Sequence, residues 1–182
     1  MTDIQGAWRF LEESDPIASA VEVQAAVKRV AAEISDKMAK TYPLVLVVMG
    51  GAVVFAGQVL PLLHFPLDLD YIHASRYGIE TVGAKIDWRV APPANVRDRA
   101  VLVLDDILDG GQTMAAIRDR LLELGAKSFQ SAVLVEKRLA RAKPIKADFV
   151  GLTIEDRFVF GCGMDAKGFW RNLPEIRAMR GS

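Results

Sequence analysis

Between Asp15 and Lys40 the apolar residues Val23, Val27, Val30, Ile34 and Met38 recur at intervals of three and four. Side chains at those intervals share one face of an α-helix, so the spacing predicts an amphipathic helix over 15–40. Pro43 follows as a stop signal. LVLVVMGG, residues 44–51, is a continuous apolar run closed by two glycines. It lacks a polar face, which predicts a strand buried on both sides. A helix is expected over 52–63, weakened by Gly57 and limited by Pro61. LDLDYIHAS, residues 67–75, alternates apolar and polar positions and predicts a strand. Residues 76–96 have no clear period, carry Gly78, Gly83 and the pair Pro92-Pro93, and read as a long loop with room for a short hairpin. A loop of that length in a compact domain is usually functional or mobile.

AVLVLDD, residues 100–106, predicts a further buried strand whose apolar part ends at Leu104. Met114, Ile117, Leu121 and Leu124 form a helical stripe that Gly125 terminates. SAVLVEK (131–137) and DFVGLTI (148–154) are two more strands, and the tail from Phe158 shows no clean period. Alternating strands and helices predict an α/β fold: one domain over 1–182, a parallel twisted sheet with helices on both faces. In such sheets ligands sit beyond the carboxyl ends of the strands. The glycine turns at 50–51 and 110–111, and Lys137, all fall at such ends and so share one rim.

Composition narrows the function. The chain has 182 residues and a formal net charge of zero, which argues against a general nucleic-acid binder. The run KRLARAK (137–143) reads first as a solvated face and second as a nucleic-acid patch. The single cysteine, Cys162, can neither staple the chain nor build a structural zinc site, and reads as a packing residue in a reducing, cytoplasmic setting. No stretch reaches the roughly 18 apolar residues of a membrane helix. His64 and His73 have no metal-ligand spacing.

The chemistry concentrates in VLVLDDILDGGQTM, residues 101–114. Asp105, Asp106 and Asp109 follow the apolar run, then Gly110 and Gly111, then Gln112 and Thr113 at a helix start. Backbone N–H groups in such a turn, together with a helix N-terminus, form a nest for phosphate. Neighbouring carboxylates suit sugar hydroxyls, or a magnesium ion held largely through water. An Asp-Gly turn capping a helix explains Asp109 and Gly111. It leaves Asp105 and Asp106 at a core strand unexplained, because charge there is costly unless used or solvated.

This segment resembles the phosphoribosyl-diphosphate (PRPP) signature of the type I phosphoribosyltransferases, and residues 44–177 are most similar to the hypoxanthine-guanine branch of that family. The resemblance implies that Asp105 and Asp106 bind the ribose hydroxyls and that Asp109 is the general base beside purine N7. It implies that Gly110, Gly111, Gln112 and Thr113 cradle the 5′-phosphate. MGGAVVF (49–55) matches the pyrophosphate loop with Gly50 and Gly51, which commonly carries a cis peptide after its first residue. SRYG (75–78) matches the start of a closing loop, with Ser75 and Tyr77. Lys137 is the counterpart of a lysine that contacts the purine 6-oxo group. The tail RFVFGCGMDAKGFWRNLPEI (157–176) implies a small hood over about 155–182. In it Phe158 stacks on the base, the Val159 backbone meets its edge, Asp165 binds near magnesium, and Arg171 binds pyrophosphate. The resemblance also implies that Asp105 and Asp106 contact Mg2+ indirectly.

Three positions depart from the pattern: Gly50 replaces a usual Lys or Arg, Gly110 a usual Thr, and Gln112 a frequent Lys. The resemblance further implies PRPP and a 6-oxopurine as partners, with hypoxanthine, guanine and xanthine not separated, and a homodimer or homotetramer. Competing readings are an RNA-binding regulator on the same fold, which needs a basic surface, and a transferase for another base.

Overall fold

The computed structural model describes residues 4–76 and 86–181. A six-stranded sheet is built from β2 (Leu44–Val48), β3 (Asp68–Arg76), β4 (Ile86–Val90), β5 (Ala100–Leu108), β6 (Ser128–Arg138) and β7 (Phe149–Glu155). Its order is β4-β3-β2-β5-β6-β7, parallel except for the antiparallel edge strand β4. The first strand, β1 (Ser14–Ala18), lies elsewhere, in a small antiparallel sheet β1-β9-β8 with β8 (Val159–Phe160) and β9 (Ile176–Met179). The α1 helix (Ile4–Glu12) precedes it.

The predicted helical stripe holds. Val23, Val27, Val30, Ile34 and Met38 of α2 (Ala20–Met38) are all at most 3% exposed. Each such burial is worth about 1.5–3 kcal/mol. The helix starts at Ala20 rather than at Asp15. Ser19 accepts from the Glu22 N–H through its hydroxyl, and Glu22 accepts from the Ser19 N–H, a reciprocal cap that fixes the start. Asp15 and Pro16 instead belong to β1, where Arg157 and Arg180 bond the Asp15 carboxylate. Arg157 also bonds the Met179 carbonyl, so one guanidinium ties the N-terminal strand to the tail.

The β2 strand leads through α3 (Val53–Val59) to β3 on one side, and β5 leads through α4 (Gln112–Glu123) to β6 on the other. The chain path therefore reverses between β2 and β5, and a crevice opens there at the carboxyl ends. The pairing of β2 with β5 stops at Val47 opposite Leu104, while β5 stays paired with β6 as far as Leu108 opposite Glu136. The strand predicted over 100–106 therefore runs two residues further, to Leu108, with Asp105 and Asp106 inside it. The expected 76–96 loop contains β4, paired with β3. Tyr77 and most of the expected closing segment lie outside the described residues, and Ser75 is placed only through its backbone, paired with Asp87.

The aperiodic tail is a series of tight turns. Gly161, Gly163 and Gly168 have positive φ, as do Cys162, Lys167 and Trp170. Cys162 is fully buried, and burial, helped by the Glu175 charge, pushes its thiol up to about 11, which leaves it a packing residue.

Candidate active site

The reversal point holds a cavity of about 360 Å³ lined by Met49, Gly50, Gly51, His73, Asp105–Thr113 and Arg171. A smaller one, about 200 Å³, is lined by Asp106, Ile107, Asp109, Lys137, Phe158, Val159, Met164 and Asp165. The two share Asp106, Ile107 and Asp109. A larger polar chamber thus adjoins a smaller one walled by a lysine and an aromatic ring.

Three segments meet at the floor of the larger chamber. The loop after β2 carries a cis peptide at Met49–Gly50, and the Met49 N–H donates to the Ile72 carbonyl at 2.8 Å. Gly51 lies so close to Asp106 that any Cβ would overlap the carboxylate, and Gly163, at φ +103°, lies equally close to the Gly51 carbonyl. Glycine lets the Gly51 backbone approach the Asp106 carboxylate, and at Gly163 it lets two backbones approach. Gly50 differs: a Cβ there would meet nothing within 4 Å, so packing does not forbid the side chain usual in the resembled family. Arg171 locks this corner. Its Nη1 donates to the Gly163 carbonyl at 2.6 Å and its Nη2 pairs with Asp165 Oδ1 at 2.5 Å. The other Asp165 oxygen accepts from the Gly168 N–H at 2.6 Å.

The expected sugar-binding carboxylates are the most strained electrostatically. Asp105 is only 9% exposed and accepts the Asp106 N–H at 3.0 Å. Burial, reinforced by the Asp106 charge, holds its carboxyl well above the usual carboxylate range. Burial also raises Asp106, with Asp105 and Arg171 acting in the opposite direction. For Asp105 the folded state therefore favours the protonated acid. That contribution to stability is complete below the ordinary carboxylate range and is lost as pH rises through the raised value. Asp105→Asn is expected to melt higher than the parent at neutral pH, by about 2–4 °C per kcal/mol recovered. The gap should narrow toward acid pH in thermal melts. A gap that is constant with pH would contradict the burial penalty.

The β5 end delivers the glycine turn expected to bind phosphate. Gly111 has φ +82° and stands at the N-cap of α4, with Gln112 and Thr113 in the first turn. The Gln112 side chain folds back over Gly110, where a Cβ would collide with it. Gly111 rests against Lys143, Pro144 and Ile145.

In the smaller chamber Lys137 Nζ lies 3.5 Å from Asp109 Oδ2 and 3.5 Å from Asp156 Oδ1. The Lys137 side chain is only 11% exposed while Asp109 is 55% exposed, so the lysine is fixed and the carboxylate is reachable. Phe158 is 46% exposed and Val159 is buried in β8. The sequence offered no signal for Asp156, and its role appears only through the shared lysine. The structure thus gathers Asp105, Asp106, Asp109, Gly110, Gly111, Gln112, Thr113, Gly50, Gly51, Arg171, Lys137, Phe158, Val159 and Asp165 around two joined chambers.

Asp105, Asp106 and Asp165 present the hard oxygen donors that magnesium prefers. Among the described residues no three acidic, His or Cys side chains converge on one point, and both Asp165 oxygens are already engaged. The donor set fits an ion that arrives with oxygens of its own ligand.

The family model described as phosphoribosyl transferase domain matches residues 14–167. The hypoxanthine-guanine phosphoribosyltransferase of Bacillus subtilis (strain 168) is 32% identical over 165 residues, covering 90% of this chain and 92% of that protein. A crystal structure of a hypoxanthine phosphoribosyltransferase from Staphylococcus aureus superposes with a TM-score of 0.86 at 26% identity, over 93% of this chain and 94% of that one. A hypoxanthine phosphoribosyltransferase variant from Trypanosoma cruzi, in a ternary complex with substrates, gives a TM-score of 0.84 at 26% identity, over 93% and 97%.

Proposed function

The chain belongs to the phosphoribosyltransferase family, and from that premise we propose that it is a purine-salvage enzyme converting hypoxanthine or guanine and PRPP to IMP or GMP and pyrophosphate. The observation that carries this reading is the junction of the chambers. A phosphate turn and buried carboxylates face one side, a lysine and an aromatic ring face the other, and Asp109 stands between them.

The larger chamber takes PRPP. The turn at 110–113 donates backbone N–H groups to the 5′-phosphate, and Asp105 and Asp106 accept from the ribose hydroxyls. Arg171 and the backbone of Gly50 and Gly51 hold the pyrophosphate. The smaller chamber takes the base between Phe158 and the floor, with Lys137 donating to the 6-oxo group and the Val159 backbone meeting the base edge. Cleavage of the C1′–O bond builds positive charge on the ribose and negative charge on the leaving pyrophosphate. Arg171 opposes the second charge from a corner already organised by its bond to Gly163. The attacking purine loses a proton, and Asp109, exposed at the junction, accepts it. Asp105, Asp106 and Asp165 would hold a Mg2+ ion brought in with PRPP, and it would supply further charge neutralisation at the pyrophosphate.

Among the described residues no helix is long and apolar enough to cross a membrane. A cytoplasmic homodimer or homotetramer completes the proposal: the single buried Cys162 supports a reducing compartment, and the family resemblance supports the oligomer.

A panel of bases tests the reading. With PRPP and Mg2+, hypoxanthine or guanine should yield nucleotide, while adenine, which carries an amino donor where Lys137 needs the 6-oxo acceptor, should not. Nucleotide from adenine alone would overturn the assignment of Lys137, and tight RNA binding without turnover would favour the regulator.

A further inference from the structure

Lys143 sits in the run that reads as a solvated face, yet its side chain is only 10% exposed. Its ammonium has three protons and three acceptors: the Leu108 carbonyl at 2.9 Å, the Lys137 carbonyl at 2.6 Å and Glu136 Oε1 at 3.3 Å. A buried ammonium is tolerated when its donors are all engaged. The location of those acceptors gives the residue its meaning. The β5–β6 ladder ends at Leu108 opposite Glu136. Asp109 immediately follows Leu108, and Lys137 immediately follows Glu136. Lys143 therefore binds the main chain at the two points from which Asp109 and Lys137 project, just where the ladder stops holding them together.

We propose that Lys143 is a positioning residue that fixes the spacing of Asp109 and Lys137 and so sets the geometry of the base subsite. The inference rests on the transferase reading and deepens it. Lys143 touches neither substrate nor the reacting atoms, and it acts through the strand ends. The neighbouring Pro144 and Ile145 pack behind Gly111, so one return loop backs both the base subsite and the phosphate turn. The tie through Lys143, however, falls on the base side.

The test compares the parent with Lys143→Met, which keeps most of the unbranched stem and removes its three donors. The readouts are kcat and the separate KM values for hypoxanthine and PRPP, with the folded fraction set by gel filtration and circular dichroism. Roughly a 100-fold loss of kcat and about a 10-fold rise in the hypoxanthine KM are expected, as for small misplacements of reacting groups. The PRPP KM should stay within about 3-fold. A purely structural lysine would lower thermal stability and leave the folded enzyme's kcat and hypoxanthine KM unchanged, and that result would overturn the proposal. Should Lys143→Met fail to fold, Glu136→Ala removes one acceptor and leaves both carbonyl bonds. A smaller rise in the hypoxanthine KM alone supports the role, and no rise overturns it. A parent protein that forms no nucleotide removes the transferase reading and this role with it. An active parent whose variants keep both values removes this role alone.

Discussion

Asp109→Asn should lower kcat by roughly 10²–10⁴-fold, the usual worth of a positioned proton acceptor, and leave PRPP affinity within a small factor. The side chain is ideally placed for such a separation of effects. It stands at the junction of the two chambers, half in solvent, with one oxygen 3.5 Å from Lys137. Asparagine preserves its size and can still present an oxygen to the lysine, so the base subsite keeps its shape. It cannot take the purine proton. In the proposed arrangement the sugar and phosphate contacts belong to Asp105, Asp106 and the glycine turn, which the substitution does not touch. Steady-state kcat set against PRPP binding by calorimetry separates the two. Equal losses in both would show Asp109 to be a PRPP ligand and not the base.

Arg171→Ala should reduce kcat/KM for PRPP by about 10²–10³-fold, the range for loss of a preorganised charged donor. Three effects combine. The direct one is the lost charge at the leaving pyrophosphate. The second is structural, since Arg171 joins Gly163 to Asp165, and Gly163 is the residue against which the Gly51 carbonyl packs. The third is electrostatic: the guanidinium opposes the burial that raises the Asp106 carboxyl, so its removal drives Asp106 further toward the neutral acid. Arg171→Lys keeps a positive charge and loses the planar fork, so an intermediate activity is expected. The inhibition constant of free pyrophosphate is the discriminating readout. Activity lost without any weakening of pyrophosphate would leave the corner only a structural one.

The sheet was legible because its inner strands are buried on both faces and so read as unbroken apolar runs. Leu44–Val48 and Val101–Leu104 are buried throughout. Only the far end of β5 was not legible: the strand continues past Asp106 to Leu108 because β6 still supplies a partner after β2 has stopped. The charges are placed where the sheet is open on one side. The β1 strand was hidden because its partner β9 lies at the far end of the chain, and a pairing of that range leaves no local pattern. Among the site residues, those in glycine-bounded motifs were visible. Asp156 and Lys143 were not, because a single charged residue in a polar run gives no sign of which carbonyl or ammonium it will meet. Lys143 in particular has the composition of a surface residue and the environment of a core one.

The most direct measurement is phosphorus NMR of the protein mixed with PRPP, Mg2+ and hypoxanthine. The account predicts that the PRPP signals give way to nucleoside monophosphate and inorganic pyrophosphate in equal amounts, only when the base is present. No nucleotide with hypoxanthine, guanine or xanthine, or breakdown of PRPP to ribose 5-phosphate at a rate indifferent to the base, would contradict it.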